Sequence, residues 1–186
     1  MKTYIADLET VVYDGQTETE AWASALVDIT APNDIGSVII HHSLAETLRY
    51  LEVQDEDAIL YYHNLKFDGQ FWLYYLLHDL HFKQNLIQVD PNTVEMGDSR
   101  QLNNNEVVYC ISDMGQWYTI TFKYRGHKYT LKDSLKLLPF SVKVIGKAFQ
   151  TQHQKLEMEY EGKRFAGCDI TPQEQEYIAN DVLVVK

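Results

Sequence analysis

Residues 3–10 read Thr-Tyr-Ile-Ala-Asp-Leu-Glu-Thr, and the alternation of side chains over residues 3–9 predicts a strand there. Side chains two positions apart on a strand share a face, so Asp7 and Glu9 present their carboxylates side by side. Ile5 and Leu8 are apolar, and two carboxylates at the edge of a core repel each other unless a proton or a cation lies between them. Oxygen ligands at this spacing suit Mg²⁺ or Mn²⁺, although a strand end that emerges into solvent also accounts for the two acids.

The sequence beyond this strand alternates between further strand and helix signals. Capping sequences at residues 43–46 and 171–174 predict that helices begin there, and the second of these helices fills the chain to Lys186. Residues 90–105 are polar and rich in turn residues, which indicates a loop. Further strands are predicted at 21–29, 36–41, 58–61, 106–112, 116–123 and 127–133. The first capped helix is predicted to run over 44–53, and one further helix over 67–80. This mixture predicts an α/β (α+β) fold with a central sheet.

The composition is that of a globular chain, because 45% of its 186 residues are hydrophobic and 12% are aromatic. No repeat or linker divides it, so we expect a single domain over residues 1–186. No apolar run approaches the roughly 20 residues that cross a bilayer, and the first residues lack the pattern of a signal peptide, so we expect no membrane partner. Cys110 and Cys168 lack the spacing of a zinc site, which predicts a reduced, cytoplasmic location.

The net charge of −11 argues against a nucleic-acid partner, because phosphate binding favours a basic face. Between residues 122 and 155 the balance reverses, and Asp133 is the only acid among these basic side chains: Lys123, Arg125, Lys128, Lys132, Lys136, Lys143, Lys147 and Lys155. The run is either a solvated face or a track for phosphates, and the sequence leaves both interpretations open.

A second group of polar and aromatic residues joins a predicted strand to a predicted helix at residues 61–69. Asn64 and Asp68 lie four positions apart, so a helical turn places them on one face, and Phe67 and Phe71 have the same spacing. Aromatic faces with an amide among them suit stacking on unpaired bases and hydrogen bonding to them. The alternative is that the rings belong to the core and that Asp68 stabilises a helix start through the helix dipole.

The third group lies on the predicted C-terminal helix, where Tyr177 and Asp181 are four positions apart and share a face. A phenol one turn from a carboxylate can hold a water against a metal ion that the carboxylate binds. A tyrosine that packs beside a surface aspartate explains the same spacing, so this group alone does not define a site.

Together the three groups place four carboxylates in the order Asp-x-Glu, Asp, Asp, with a tyrosine four residues before the last. This pattern resembles the DEDD exonucleases of the tyrosine variety, and in particular the 3′→5′ exonuclease domain of the protein-primed family B DNA polymerases of bacteriophages. The resemblance rests on segments that span nearly the whole chain in the family's order: Asp7-Leu8-Glu9-Thr10, His63-Asn64-Leu65-Lys66-Phe67-Asp68-Gly69, Met114-Gly115-Gln116-Trp117-Tyr118, Asp133-Ser134-Leu135-Lys136-Leu137-Leu138-Pro139-Phe140 and Tyr177-Ile178-Ala179-Asn180-Asp181.

The resemblance implies a ribonuclease H-like fold, with a mixed central sheet flanked by helices, and a site for two Mg²⁺ (or Mn²⁺) ions. Asp7, Glu9 and Asp181 would hold the catalytic metal. Asp7 would also touch the second metal, and Asp68 would bind that metal through water. Tyr177 would orient the attacking water.

The resemblance also implies residues that contact DNA. Lys155, in a short Lys-x-x-apolar motif, would face the scissile phosphate, although an ordinary surface lysine explains the motif as well. The positions that match residues holding the unpaired 3′ end or the single strand are Thr10, His63, Asn64, Phe67, Phe71, Ser134, Leu135 and Tyr160.

The implied function is that of a metal-dependent 3′→5′ exonuclease of the proofreading type, which hydrolyses single-stranded DNA 3′ ends to nucleoside 5′-monophosphates during DNA replication. Family members continue into palm, fingers and thumb, which are absent here, so we expect either an excised domain or a separately encoded exonuclease. A polymerase domain and a terminal protein are the further partners implied, and a phage-encoded chain would act in the bacterial host cell. Two alternatives stay open: an exonuclease directed at RNA, and a binding module for a primer end, a terminal protein or a polymerase with little activity of its own.

Overall fold

The computed structural model describes residues 1–11, 13–158 and 163–186 of the chain. Within these residues the strands are β1 (Lys2–Thr10), β2 (Ala21–Asp28), β3 (Ile39–His41), β4 (Ala58–Tyr62), β5 (Lys83–Gln84), β6 (Leu86–Asp90), β7 (Thr93–Met96), β8 (Glu106–Ile111), β9 (Trp117–Tyr124) and β10 (His127–Asp133). The α-helices of the same part of the chain are α1 (Leu44–Val53), α2 (Leu65–Tyr74), α3 (Val142–Phe149) and α4 (Pro172–Val185). None of the helices in these ranges combines the length and the apolar composition that crossing a membrane requires.

Eight of the strands form one mixed sheet in the order β3-β2-β1-β4-β10-β9-β8-β5. In this sheet β1 is antiparallel to β2 on one side and parallel to β4 on the other. The next neighbour of β4 is β10, which is also parallel to it. Because β1, β4 and β10 run in the same direction, their C-terminal ends meet at one edge of the sheet. Residues at the C-terminal ends of these three strands, and in the loops after them, therefore lie close together at that edge. Ligand sites of α/β proteins commonly lie at such an edge.

Helices lie on both faces of the sheet, and the alternation of side chains along β1 assigns a separate core to each face. Tyr4, Ala6 and Leu8 pack with α1 and α2 in the larger core, where Trp72 is fully buried. Ile5 points to the opposite face and packs with α4 in the second core. The mixed sheet flanked by helices confirms the predicted α/β, ribonuclease H-like arrangement.

Most of the predicted elements are confirmed. Helix α1 has its predicted bounds, and the Ser43 hydroxyl caps it by accepting a hydrogen bond from the backbone N–H of Glu46. Helix α4 begins with the predicted capping box, in which Thr171 and Glu174 each accept a hydrogen bond from the backbone N–H of the other. Strands β1, β2, β4, β8, β9 and β10 lie within a residue of their predicted bounds.

The prediction of a loop over residues 90–105 is wrong in part. Strands β6 and β7 pair as an antiparallel hairpin outside the main sheet, and Ser99–Gln101 form a 3₁₀ turn. The β-branched residues on either side of Pro91-Asn92 are strand signals, and the polarity of the surrounding stretch concealed them.

Two short elements also differ from the prediction. Strand β3 occupies only the second half of the predicted 36–41, because Asp34 accepts a hydrogen bond from the backbone N–H of Ser37 and caps a 3₁₀ turn over Ile35–Ser37. Helix α3 was not predicted, although Ser141 caps it by accepting a hydrogen bond from the N–H of Val144. Both cases show that a single capping side chain can set the structure of a short stretch.

Helix α2 begins at Leu65, two residues earlier than predicted, and the side chain of its first flanking residue, Asn64, makes no capping bond. Instead, Asp133 Oδ1 accepts hydrogen bonds from the backbone N–H groups of Asn64 (3.2 Å) and Leu65 (3.4 Å). A carboxylate at this end also suits the helix dipole. The cap comes from a distant strand, so local signals could not locate this helix start.

Gly69 allows α2 to pack closely on β9, and we predict that Gly69→Ala destabilises the protein. A methyl group at this position would lie 2.9 Å from the Trp117 ring and 3.0 Å from Ile120. Overpacking of this kind costs about 1–3 kcal/mol, which exceeds the gain of about 1 kcal/mol in helix propensity. Urea denaturation measures the free energy of unfolding.

Gly146→Ala in α3 is the matched control. Its added methyl group meets only the end of the flexible Gln154 side chain, at 3.0 Å, so its unfolding free energy should stay unchanged or rise by up to about 1 kcal/mol. Equal effects of the two substitutions would contradict the close contact of α2 with β9.

Candidate active site

Three carboxylates meet at the C-terminal end of β1. Asp7 and Glu9 project toward the face that α4 covers; Glu9 is buried and Asp7 is half-buried. Asp181 reaches the same place from α4. One oxygen atom from each of the three side chains lies within 4.8 Å of the other two. Three of the four predicted carboxylates are thus brought together.

Asp68 lies beside this group of three rather than within it. Its side chain is buried on α2, and its Oδ1 accepts a hydrogen bond from the backbone N–H of Leu8 at 3.1 Å. That bond ties α2 to β1 between Asp7 and Glu9. The negative charges of both residues act on the Asp68 carboxyl group, so the four acids share one electrostatic environment.

Burial and mutual repulsion disfavour the charged state of these acids. Loss of solvent raises the pKa of Asp7 from 3.8 to about 7, and the negative charge of Asp181 adds to the effect. Burial, and then the charge of Asp7, raises the pKa of Asp68 well above its ordinary value. Burial also raises the pKa of Asp181, although the hydrogen bond and the charge of Lys155 oppose this shift.

Lys155 and Tyr177 complete the immediate surroundings of Asp181. Lys155 Nζ donates a hydrogen bond to Asp181 Oδ2 at 2.7 Å and lies 5.8 Å from the centre of the Tyr177 ring. Burial alone would lower the pKa of Lys155, but its hydrogen bond to Asp181 and the negative charges around it together outweigh burial, and the net pKa is raised. Burial, together with the charges of Asp181 and Glu9, raises the pKa of Tyr177. Both groups therefore keep their protons at neutral pH.

The chemistry of these donors fits divalent cations. Asp181 Oδ1 is buried and has no hydrogen-bond partner among the described residues. A buried carboxylate oxygen in that position is costly unless a cation or a proton binds it. Oxygen-only ligand sets of this kind are what Mg²⁺ and Mn²⁺ prefer. The residues present thus fit the metal ions expected from the sequence.

The residues expected to bind single-stranded DNA lie at the same edge of the sheet. Thr10 is the last residue of β1, His63 and Asn64 follow β4, and Ser134 and Leu135 follow β10. Because these three strands are parallel, five of the eight predicted positions lie at the same edge of the sheet as the C-terminal end of β1, which carries Asp7 and Glu9. Their contact with DNA stays a prediction.

His63 and Ser134 form bonds within the protein at this edge. His63 Nδ1 lies 3.1 Å from Ser134 Oγ, and His63 Nε2 lies 2.7 Å from the carbonyl oxygen of Phe140. Ser134 is buried, and its hydroxyl group donates a hydrogen bond to the carbonyl oxygen of Tyr62 at 3.1 Å. Their polar atoms thus hold the loops after β4 and β10 together.

Asn64, Phe67 and Phe71 present a surface that suits unpaired bases. Asn64 adopts a left-handed backbone conformation with φ 81°, which turns the chain sharply from β4 into α2 and leaves its side chain exposed. Phe67 is 43% exposed, and its ring meets that of Phe71 edge-on with 5.6 Å between the ring centres. Phe71 is partly buried against the larger core, so Phe67 is the exposed ring of the pair. An exposed aromatic ring beside an amide is typical of surfaces that stack on single strands.

Asp133 was not predicted as a site residue, but it organises both loops. In addition to the N–H groups of Asn64 and Leu65, its Oδ1 accepts a hydrogen bond from the backbone N–H of Leu135 at 3.0 Å. The Asp-Ser-Leu sequence after a strand is a local signal for such a cap. In the sequence, Asp133 is the lone acid in a basic run and the first residue of one segment that carries the resemblance, but neither feature predicts this role.

The basic run does not lie in one place. Lys128 is the second residue of β10 and therefore lies at the end of the sheet away from the carboxylates, whereas Lys132 and Lys136 lie near the other end. Lys143 forms an ion pair with Glu157 at 2.9 Å. Tyr160, the remaining predicted DNA contact, lies outside the described residues.

Comparison with known proteins identifies the family. A family model described as DNA polymerase type B, organellar and viral, matches residues 50–168. The chain belongs to this family.

Phage polymerases of family B are similar over almost the whole chain. The DNA polymerases of Bacillus phages B103 and phi29 are each 35% identical over 189 and 190 residues, which covers 99% of this chain and 29% of each relative. The DNA polymerase of Streptococcus phage Cp-1 is 29% identical over 156 residues, 79% of this chain and 23% of its own length. The chain thus spans less than a third of these polymerases.

Solved structures of a family B polymerase share the fold. Phi29 DNA polymerase complexed with single-stranded DNA superposes with a TM-score of 0.77 and 34% identity, over 99% of this chain and 30% of that chain. The same polymerase complexed with primer-template DNA gives a TM-score of 0.75. The arrangement of sheet and helices is therefore that of one region of a family B polymerase.

The raised pKa of Asp7 predicts how the stability of the metal-free protein depends on pH. A carboxyl group with a higher pKa in the folded state binds its proton more tightly there, so stability falls as pH rises from 3.8 toward about 7. Asp7→Asn removes this charge, so with EDTA present its melting temperature at pH 8 should exceed that of the wild type by about 2–4 °C for each kcal/mol relieved.

Thermal unfolding from pH 4.5 to 8 provides the measurement, and Asp113→Asn, at an exposed site, is the control. The Asp7→Asn curve should be flatter than both the wild-type and the control curves. A wild-type curve as flat as that of Asp7→Asn would show that burial and the neighbouring charge do not raise the pKa of Asp7.

Proposed function

We propose that the chain is a metal-dependent 3′→5′ exonuclease that removes nucleotides from single-stranded DNA 3′ ends as nucleoside 5′-monophosphates, in a proofreading role during DNA replication. The observation that carries the proposal is the convergence of Asp7, Glu9 and Asp181 within 4.8 Å, with Asp68 beside them. Membership of a DNA polymerase family supports DNA as the substrate.

Two divalent cations, Mg²⁺ or Mn²⁺, fit these carboxylates. Asp7, Glu9 and Asp181 would hold one cation, and Asp7 together with Asp68, through water, would hold the other. Such a pair supplies a water of lowered pKa as the nucleophile and stabilises the leaving 3′-oxygen.

The neighbouring side chains orient the reacting groups. The phenol of Tyr177 keeps its proton and can fix the direction of the attacking water by a hydrogen bond. The ammonium group of Lys155 keeps its charge and offsets the negative charge that grows on the phosphate. Its bond to Asp181 holds this positive charge beside the carboxylates.

The adjoining surface suits an unpaired strand. Phe67 and Phe71 offer aromatic faces for bases, and Asn64 offers an amide for hydrogen bonding. A similar polymerase has been solved with single-stranded DNA, and we extend that ligand to this chain. We propose further that residues 1–186 form one exonuclease domain that acts with a polymerase domain, since the relatives are about three times longer.

Removing either central carboxylate should abolish cleavage. Asp7→Ala and Asp181→Ala are each expected to lower kcat by about 10²–10³-fold or more, because each removes a ligand and a charge from the site. Release of label from 3′-labelled single strands, with 5′-labelled strands in parallel, measures the rate and the polarity with Mg²⁺, with Mn²⁺ and with EDTA.

Asp113→Ala, at an exposed position, is the matched control and should keep wild-type activity. Full activity of the Asp7→Ala, Asp181→Ala double variant would refute the proposal. Faster cleavage of RNA under the same salt conditions would favour the RNA-directed alternative, and binding of 3′ ends without metal-dependent cleavage would favour a binding module.

Loss of the exposed ring at Phe67 should weaken binding of the strand. Stacking of a base on an aromatic ring contributes about 1–3 kcal/mol, so Phe67→Ala is expected to raise KM for single-stranded 3′ ends about 5- to 150-fold, with kcat less affected. Tyr74→Ala is the control, because Tyr74 is 60% exposed on the same helix but stacks on His78. A larger effect at Tyr74 would place the strand elsewhere.

A further inference from the structure

Lys155 lies in a segment without regular secondary structure. Helix α3 ends at Phe149, and the described residues that follow it, 150–158, form neither a helix nor a strand. Such a segment has no regular backbone hydrogen bonds to fix its position. Lys155 Nζ nevertheless lies 2.7 Å from Asp181 Oδ2. Contacts from neighbouring residues must therefore hold the segment against α4.

His153 joins this segment to two other parts of the protein. Its Nδ1 lies 3.1 Å from Asn180 Oδ1 on α4, and its Nε2 lies 3.0 Å from the carbonyl oxygen of Asn33, in the loop between β2 and β3. Asn180 is 6% exposed, and its Nδ2 donates a hydrogen bond to the carbonyl oxygen of Glu176 at 2.7 Å. Because this bond occupies the NH₂ group, the amide oxygen faces the imidazole.

The contacts of His153 and Lys155 fall on consecutive residues of α4. His153 meets Asn180, and Lys155 meets Asp181. One short stretch thus presents both groups to the helix. The imidazole is therefore fixed close to the point where the ammonium group must be placed.

The other polar side chains near His153 do not reach α4. Gln154 Nε2 donates hydrogen bonds to the carbonyl oxygens of Gly146 (3.0 Å) and Thr151 (2.8 Å), which only closes the turn after α3. Among the described residues 150–154, the side-chain hydrogen bond to α4 is that of His153 alone. Apart from the bond of Lys155 itself, the side-chain hydrogen bond that attaches this stretch to α4 is thus that of one imidazole.

We propose that His153 is a positioning residue for Lys155. Its imidazole, held between Asn180 and the carbonyl group of Asn33, fixes the segment so that the ammonium group stays beside Asp181 and faces the phosphate of a bound strand. This inference rests on the proposed exonuclease function. His153 itself touches no reacting atom.

A double-mutant cycle in the full chain tests this role. His153→Ala is expected to lower kcat about 10-fold with little change in KM, because the strand-binding surface is unaltered. In a Lys155→Ala background the same substitution should have no further effect, because the group that it positions is gone. An equal loss of kcat in both backgrounds would mean a general structural role and would overturn the proposal.

His153→Asn tests the bond to Asn180 and serves as a milder variant if His153→Ala folds poorly. The shorter side chain places an amide donor near the position of Nδ1, so it should restore part of the lost kcat. Activity no higher than that of His153→Ala would count against a positioning role of this bond.

A second readout needs neither metal nor substrate. Trypsin must take up the Lys155 side chain to cut after this residue, so the rate of the cut reports how often Nζ leaves Asp181. Loss of a hydrogen bond should speed the cut about 2- to 10-fold for each bond, whereas the cut after Lys147 in α3 should be unchanged. Mass spectrometry of brief digests in EDTA gives both rates.

His42→Ala is the matched control for the tryptic cut. His42 Nδ1 lies 2.7 Å from the carbonyl oxygen of Cys168, at the other end of the connection between α3 and α4, and its loss should leave cleavage after Lys155 unchanged. An inactive wild-type protein would refute the proposed exonuclease, while the tryptic rates would still test the attachment. An active wild type with unchanged tryptic rates in His153→Ala would refute the positioning role alone.

Discussion

Buried carboxylates that lie close together at the C-terminal end of β1 repel each other, and the rest of the structure must hold them in place. Asp7 and Glu9 share a face there, Asp181 is added by α4, and burial leaves their charges poorly solvated. The arrangement holds because two separate cores fix β1 from both faces of the sheet, and because Lys155 contributes a positive charge. Apolar packing thus maintains an unfavourable charge distribution that divalent cations would relieve.

Local patterns were sufficient for the elements that carry the acids. Alternation located β1 with Asp7 and Glu9, and a capping box located the start of α4, which carries Asp181, because the physical cause of each signal lies within a few residues. The meeting of these acids has no local signal, and its prediction came from the resemblance. The structure brings three of them into one group with Asp68 beside them, and the roles assigned to each stay predictions.

Contacts between distant segments account for what the sequence did not reveal. The start of α2 depends on Asp133, which lies almost 70 positions away and also binds the loop after β10. His63 and Ser134 were predicted as DNA contacts, and in the structure their polar atoms form hydrogen bonds that join two loops of the protein. A sequence does not show which distant residues each side chain will contact. The pairing register of the parallel strands β1, β4 and β10 decides which loop residues become neighbours.

The wide spacing of the acids along the chain determines when the proposed activity can arise during synthesis. Asp7 and Asp181 are separated by about 170 positions, and contacts across so long a loop form late because closing the loop is entropically unfavourable. A nascent chain that has left the ribosome only as far as α2 carries Asp7, Glu9 and Asp68 but neither Lys155 nor α4. A copy that ends before α4 would therefore lack Asp181 and could not assemble the proposed site.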